Sequence, residues 1–209
     1  MFPVFIKGIV IGFSVAAPVG PIALLILRRT LNEGKLSGFI SGLGAATADL
    51  LCGLVAALGL SAITQAIDEH RMILQCIGGA FMVVLGVHTF RAKDPALAKR
   101  PVHERNLILA YLFTFLLTLS NPLTFVGMVG VVAAAGVGGP SYSHAQSVVL
   151  GGGIFFGSGL WWALLCSMAG WLGRKLGNHT LHVINMVAGI LIAGFGVWQL
   201  GDLIRHWLT

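Results

Sequence analysis

The stretch Gly38–Ile63, GFISGLGAATADLLCGLVAALGLSAI, is 26 residues long and holds a single charged side chain, Asp49. About 20 apolar residues cross the roughly 30 Å hydrocarbon core of a bilayer as a helix, so this run predicts a membrane span. A carboxyl group at that depth is costly, and such groups face a bundle interior or a polar pathway instead of lipid. The spacing agrees. Gly42, Ala45, Ala46, Gly53 and Ala56 stand three, four or seven residues from Asp49, on its own helix face, where small side chains let a second helix approach. Asp49 is therefore expected to point into a bundle, where one reading has it exchange protons during a transport cycle and the other has it stand as a neutral acid hydrogen-bonded to a neighbouring helix.

Outward from this run, five more apolar stretches reach or approach spanning length: Ile9–Leu27, Met72–Phe90, Leu107–Val137, Val148–Leu172 and Val183–Leu200. With 56% hydrophobic and 10% charged residues, the chain has too little polar surface to coat a soluble globule. No connection is long enough for a separate soluble domain. Lys7 ahead of an apolar run, with small residues at Ala16-Ala17, has the outline of a cleaved signal peptide. Pro18 follows at once, however, and the apolar run continues to Leu27, so a span is expected instead.

Arg28, Arg29 and Lys35 fall in the first loop, five basic residues from Arg91 to Arg105 in the third, and Arg174 and Lys175 in the fifth: ten, against three (Lys7, Arg71, Arg205) on the other side. Basic loops stay cytoplasmic, so both termini are expected on the periplasmic or extracellular face. The net charge of +6 is then a matter of topology and needs no nucleic-acid partner. The three cysteines, Cys52, Cys76 and Cys166, lie in apolar stretches without a CxxC pair and read as small apolar fillers. No cofactor and no metal centre is expected.

Two stretches are interrupted. Pro18-Val19-Gly20-Pro21 breaks the first near its centre, where two prolines remove backbone donors and restrict their predecessors. Asn121-Pro122 breaks the fourth, whose 31 residues would otherwise reach about 46 Å at about 1.5 Å per residue. The chain also resembles itself. Gly79–Val87 matches Gly189–Val197 at an offset of 110, with glycines seven apart in both, and an offset of 109 sets Gly42, Gly44 and Asp49 against Gly151, Gly153 and Ser158. Pro18 corresponds to Pro122. The fold expected is one all-α integral membrane domain, residues 1–209, with six transmembrane helices as a 3+3 inverted repeat. Its half-repeats are about 1–90 and 107–209, joined by a cytoplasmic loop, 91–106. Paired interruptions in an inverted repeat mark a midplane binding site, so Pro18, Gly20, Pro21, Asp49, Asn121 and Pro122 are the candidate substrate and proton pathway. The spacings Gly34-Gly38-Gly42 and Gly153-Gly157 read first as packing within one subunit, with a homo-oligomer contact as the second reading. His88 and Trp161-Trp162 are weaker candidates, for an interface or a cavity wall.

These residues resemble the LysE/RhtB family of bacterial amino-acid exporters. The resemblance lies in Gly12-Phe13-Ser14 through Pro18-Val19-Gly20-Pro21, in Gly34 and Gly38, in Gly42 through Asp49, in Gly59-Leu60 and in Asn121-Pro122, and it covers nearly the whole chain. It implies a multi-pass protein of the bacterial inner membrane that exports small amino acids or related metabolites by proton antiport, and not an enzyme. Pro-x-Gly-Pro stands here where the family has Pro-Gly-Pro, which argues against carrying over any one member's substrate. The wider superfamily includes cadmium and manganese exporters and membrane thiol-electron carriers. A divalent metal exporter is therefore one alternative and a thiol/disulfide carrier another. One carboxylate and scattered cysteines suit neither as well as a zwitterionic cargo.

Overall fold

In the computed structural model, residues 1–18, 20–59, 71–91, 106–138, 142–173 and 178–208 are described, and they form eight helices and no strand. These are α1 (Phe2–Ala16), α2 (Pro21–Glu33), α3 (Lys35–Leu58), α4 (Arg71–Phe90), α5 (Leu107–Leu119), α6 (Pro122–Ala134), α7 (His144–Gly173) and α8 (Asn178–Leu208). The described part of each of the six apolar stretches falls mainly on one helix or on one broken pair, and residues 60–63 of the stretch around Asp49 lie outside the described residues.

Two of these helices, Lys35–Leu58 and the His144–Trp171 part of α7, are each long and apolar enough to cross a membrane alone, and two bent pairs bring the total among the described residues to four. One pair is α1 with α2, turned by 83°; the other is α5 with residues Thr124–Ala134 of α6, turned by 67°. Both breaks sit where the prolines put them. Pro21 and Pro122 are the first residues of α2 and α6, the one helical position where a missing N–H removes no hydrogen bond.

The reading of Arg28, Arg29 and Lys35 as loop residues is corrected. α2 continues to Glu33 and α3 begins at Lys35, so the loop shrinks to Gly34, whose φ of +99° strongly favours glycine. Arg28 and Arg29 lie on a helix because backbone hydrogen bonding continues past Leu27, where the unbroken apolar run ends. Gly59 closes α3 at φ +59°, returning its N–H to the Ala56 and Val55 carbonyls. The third loop falls almost wholly on residues outside those described.

α3 packs against α7 and α5, α1 packs against α7, and α4 packs against α8. Glycine sets how closely these helices approach. A Cβ on Gly12 would collide with the Ile154 backbone and one on Gly157 with that of Ile9, so α1 and α7 meet backbone to backbone. The small face foreseen around Asp49 meets α7: Gly42 faces the Trp162 side chain and Gly53 that of Ile154. Large apolar side chains such as Phe2, Val84, Ile108, Phe156, Met168 and Val197 are exposed. Around a bundle like this such a surface suits lipid contact, since hydrocarbon solvates it at no cost.

Candidate functional site

α1 ends at Ala16 because the Ser14 carbonyl would next need an N–H from Pro18, which has none. α2 starts after Gly20, whose extended backbone (φ −115°, ψ −172°) supplies no side-chain cap. Across the bundle, α5 ends at Leu119, and the Asn121 carbonyl accepts from Thr124 N at 3.1 Å while Asn121 N donates to the Thr118 carbonyl at 3.2 Å. Each break therefore leaves the carbonyl end of one half-helix beside the amide end of the next, the two polar terminations of a helix brought to one depth.

Between the breaks lies a cavity of about 490 Å³, within the range of small-molecule sites. Pro18, Gly20, Pro21, Asp49 and Asn121 all line it, so five of the six candidate residues are brought together by the fold. Pro122 opens α6 next to Asn121, and its side chain lies outside the described residues. Val15, Ile22, Val131 and Phe195 supply apolar wall, and Ser14, Thr118 and Thr124 add hydroxyls. Among the described lining residues, Asp49 is the one ionisable side chain.

Asp49 is 3% exposed. Its Oδ2 accepts a 2.6 Å hydrogen bond from Ser158 Oγ, which in turn accepts from Trp162 Nε1 at 3.1 Å. Oδ1 has no hydrogen-bond partner among the described residues, which leaves the carboxyl group one oxygen for a proton or a cationic ligand. The cavity edge thus presents an acid steadied on one side and open on the other.

Sequence reasoning missed Ser158, Thr118, Thr124 and Phe195 as wall or partner residues. Ser158 carried a signal, since the internal alignment already set it against Asp49; the fold turns that correspondence into a contact. Of the tryptophan pair, Trp162 lines the cavity, while Trp161 packs edge-on against Phe13 with ring centres 5.4 Å apart. The side chain of His88 lies outside the described residues. Cys52 and Cys166 are buried and free, in separate apolar clusters, and Cys166 accepts from Thr30 Oγ1 at 3.2 Å.

A second polar group also escaped the sequence. Arg29 Nη1 donates to Ser41 Oγ at 2.6 Å, to the Ala110 carbonyl at 2.9 Å and to Thr114 Oγ1 at 3.1 Å, tying α2 to α3 and α5. Thr114 and Thr118 are both buried and one helical turn apart, and each hydroxyl also donates to the carbonyl four residues back. A file of buried oxygens therefore leads along α5 from Arg29 to the cavity wall.

The LysE type translocator family model matches residues 13–201. Among curated proteins the chain is 27% identical over 199 residues to YcgF of Bacillus subtilis (strain 168), provisionally named an amino acid efflux protein, covering 93% of this chain and 94% of that one. It is 27% identical over 197 residues to the chemotactic transduction protein ChpE of Pseudomonas aeruginosa, covering 93% and 96%. An uncharacterized membrane protein of Synechocystis, slr1627, is 25% identical over 181 residues, covering 85% of each chain. No solved structure matches.

Proposed function

The chain belongs to the LysE type translocator family, and from that premise we propose that it exports small amino acids or related metabolites across the bacterial inner membrane, in exchange for protons. The observation that carries this reading is the cavity: a space of about 490 Å³ at two helix breaks, lined among the described residues by apolar side chains, hydroxyls and one carboxyl. A zwitterion fits such a space. Its ammonium group pairs with the open oxygen of Asp49, and its carboxylate meets the amide end of a half-helix. Asp49 couples the two fluxes by holding a proton in one state and the cargo ammonium in the other. Pro18, Gly20, Pro21, Asn121 and Pro122 shape the space in which this happens.

The architecture that suits this cycle is six spans arranged as a 3+3 inverted repeat. Two broken pairs in corresponding places support it, as does the reciprocal packing of α1 on α7 and α5 on α3. Both termini lie on the periplasmic side in this arrangement. A reporter fused at each end checks it, and a cytoplasmic signal at either end rejects it.

An export screen tests cargo and coupling together, comparing cells that express the chain with cells that express Asp49→Asn. Accumulation of an amino acid outside the first cells and not the second is expected. Equal export by both removes Asp49 from the mechanism. The divalent-metal alternative is less well matched, because the wall offers one carboxyl and otherwise neutral oxygens, where a cation of that kind gathers several anionic or imidazole ligands.

A further inference from the structure

Arg29 is a charged side chain that the cavity and its carboxyl group leave without a task. All three oxygens that accept from its Nη1 are neutral, and they belong to two helices other than its own. Its guanidinium carbon lies 5.1 Å from the centre of the Phe113 ring, a cation over an aromatic face. The nearest acid along α2 is Glu33, one turn on; it acts on Arg29 through charge, while its Oε2 accepts a 2.6 Å hydrogen bond from Ser37 Oγ. Nε and Nη2 make no hydrogen bond among the described residues.

A guanidinium offers five donors in a rigid planar fork, and the edge formed by Nε and one Nη matches the two oxygens of a carboxylate. In Arg29 the other nitrogen is the one that is held, by Ser41, Ala110 and Thr114, while the carboxylate-matching edge stays open. The guanidinium is therefore fixed in orientation with no carboxylate hydrogen-bonded to it among the described residues. Its anchor Thr114 stands four residues before Thr118, about 6 Å along the helix axis, and Thr118 lines the cavity.

We propose that Arg29 is a carboxylate-recognition residue at the approach to the cavity, which admits cargo bearing a free carboxylate and discriminates against the corresponding amides, amines and metal cations. This rests on the exporter reading and narrows it. The carboxylate engages the open edge of Arg29 first, and the Thr114 and Thr118 hydroxyls then turn from the carbonyls four residues back to donate to it one turn inward, while the ammonium end moves on to Asp49. Selection comes from two charges of opposite sign at the two ends of one polar file, instead of from the cavity alone.

The test uses vesicles containing the full chain, with L-alanine and L-alaninamide as transport probes. In parallel, the thermal stability of the detergent-solubilised protein is measured with propionate and with propionamide. A charge-assisted bidentate pair makes the wild-type preference for alanine over alaninamide roughly ten- to hundredfold in kcat/KM. Arg29→Gln is expected to reduce that preference to about threefold or less, mainly through KM, with Arg29→Lys in between. Propionate, and not propionamide, is expected to stabilise the wild type, and Arg29→Gln to lose this response. Equal loss of both probes in Arg29→Gln with an unchanged preference overturns the proposal, as does a wild type that propionate leaves unaffected. A wild type that moves no alanine yet is stabilised by propionate through Arg29 removes alanine as cargo and leaves the carboxylate subsite standing.

Discussion

The contact of α3 with α7 and the pairing of α4 with α8 are built by the same device and put to different ends. In both, glycines bring corresponding parts of the chain together. Gly79 approaches Gly196 and Gly86 approaches Gly189, so the glycines that reveal the internal resemblance pack against one another. In the α3/α7 contact the corresponding residues that meet are Asp49 and Ser158, 109 positions apart and hydrogen-bonded. The internal resemblance is easier to see in α4 and α8, and among the described residues the polar contact between aligned positions lies in the other pair. The similar glycines of α4 and α8 lie where those helices pack. The polar contact instead joins aligned positions that differ, because an acid facing a second acid would repel it, whereas an acid facing a serine gains a donor.

Asp49→Asn should produce the largest separation between the two regions. It preserves size and removes titration, so folded protein is expected with flux driven by an imposed pH difference lowered roughly a hundredfold or more, about 3 kcal/mol in the driving of the cycle. Normal gradient-driven flux by this variant would reduce Asp49 to a packing residue and erase the distinction.

Gly86→Leu probes the other pair. A side chain there meets the Ala193 backbone, and overpacking of this kind costs about 1–3 kcal/mol. The yield of folded protein should fall, with transport per folded molecule unchanged. A fall in specific transport would show that α4 and α8 move during the cycle.

A smaller effect is expected from Ser158→Ala. It leaves the Asp49 carboxyl without its 2.6 Å donor, a loss of about 1–3 kcal/mol, so gradient-driven flux should drop about tenfold while Ser158→Thr restores most of it. Thermal unfolding of both variants separates this from simple loss of packing.

Gly20 gives the smallest effect. No atom lies within 4 Å of a Cβ built there, and its φ is negative, so Gly20→Ala should change transport by no more than about twofold. Gly20→Leu should raise KM by projecting into the cavity, with melting temperature unaltered. A folding defect in either would mean that the break needs glycine for its backbone.

Much of the site was legible because its signals are covalent and local. A proline lacks an N–H whatever surrounds it, so the two breaks could be placed from Pro18-Val19-Gly20-Pro21 and Asn121-Pro122 before any helix was seen. A carboxyl in an apolar run is likewise visible in isolation. Arg29 was not legible. Two residues past the end of the unbroken apolar run, it read as one more basic loop residue, and its acceptors Ala110 and Thr114 come from 81 and 85 positions away. Thr114 and Thr118 were hidden by the same rule, since lone hydroxyls in an apolar run are most simply satisfied by their own helix.

The sequence by itself determined that this chain is helical and membrane-embedded, where two of its helices break, and which single acid lies at depth. These follow from hydrophobic run length, proline chemistry and the isolation of one charge. Tertiary structure alone decided that both breaks and Asp49 open onto one cavity, that Asp49 takes its donor from Ser158, and that Arg29 turns inward to neutral oxygens. Those outcomes depend on the angle and depth at which helices cross, and glycine contacts between distant segments fix that geometry.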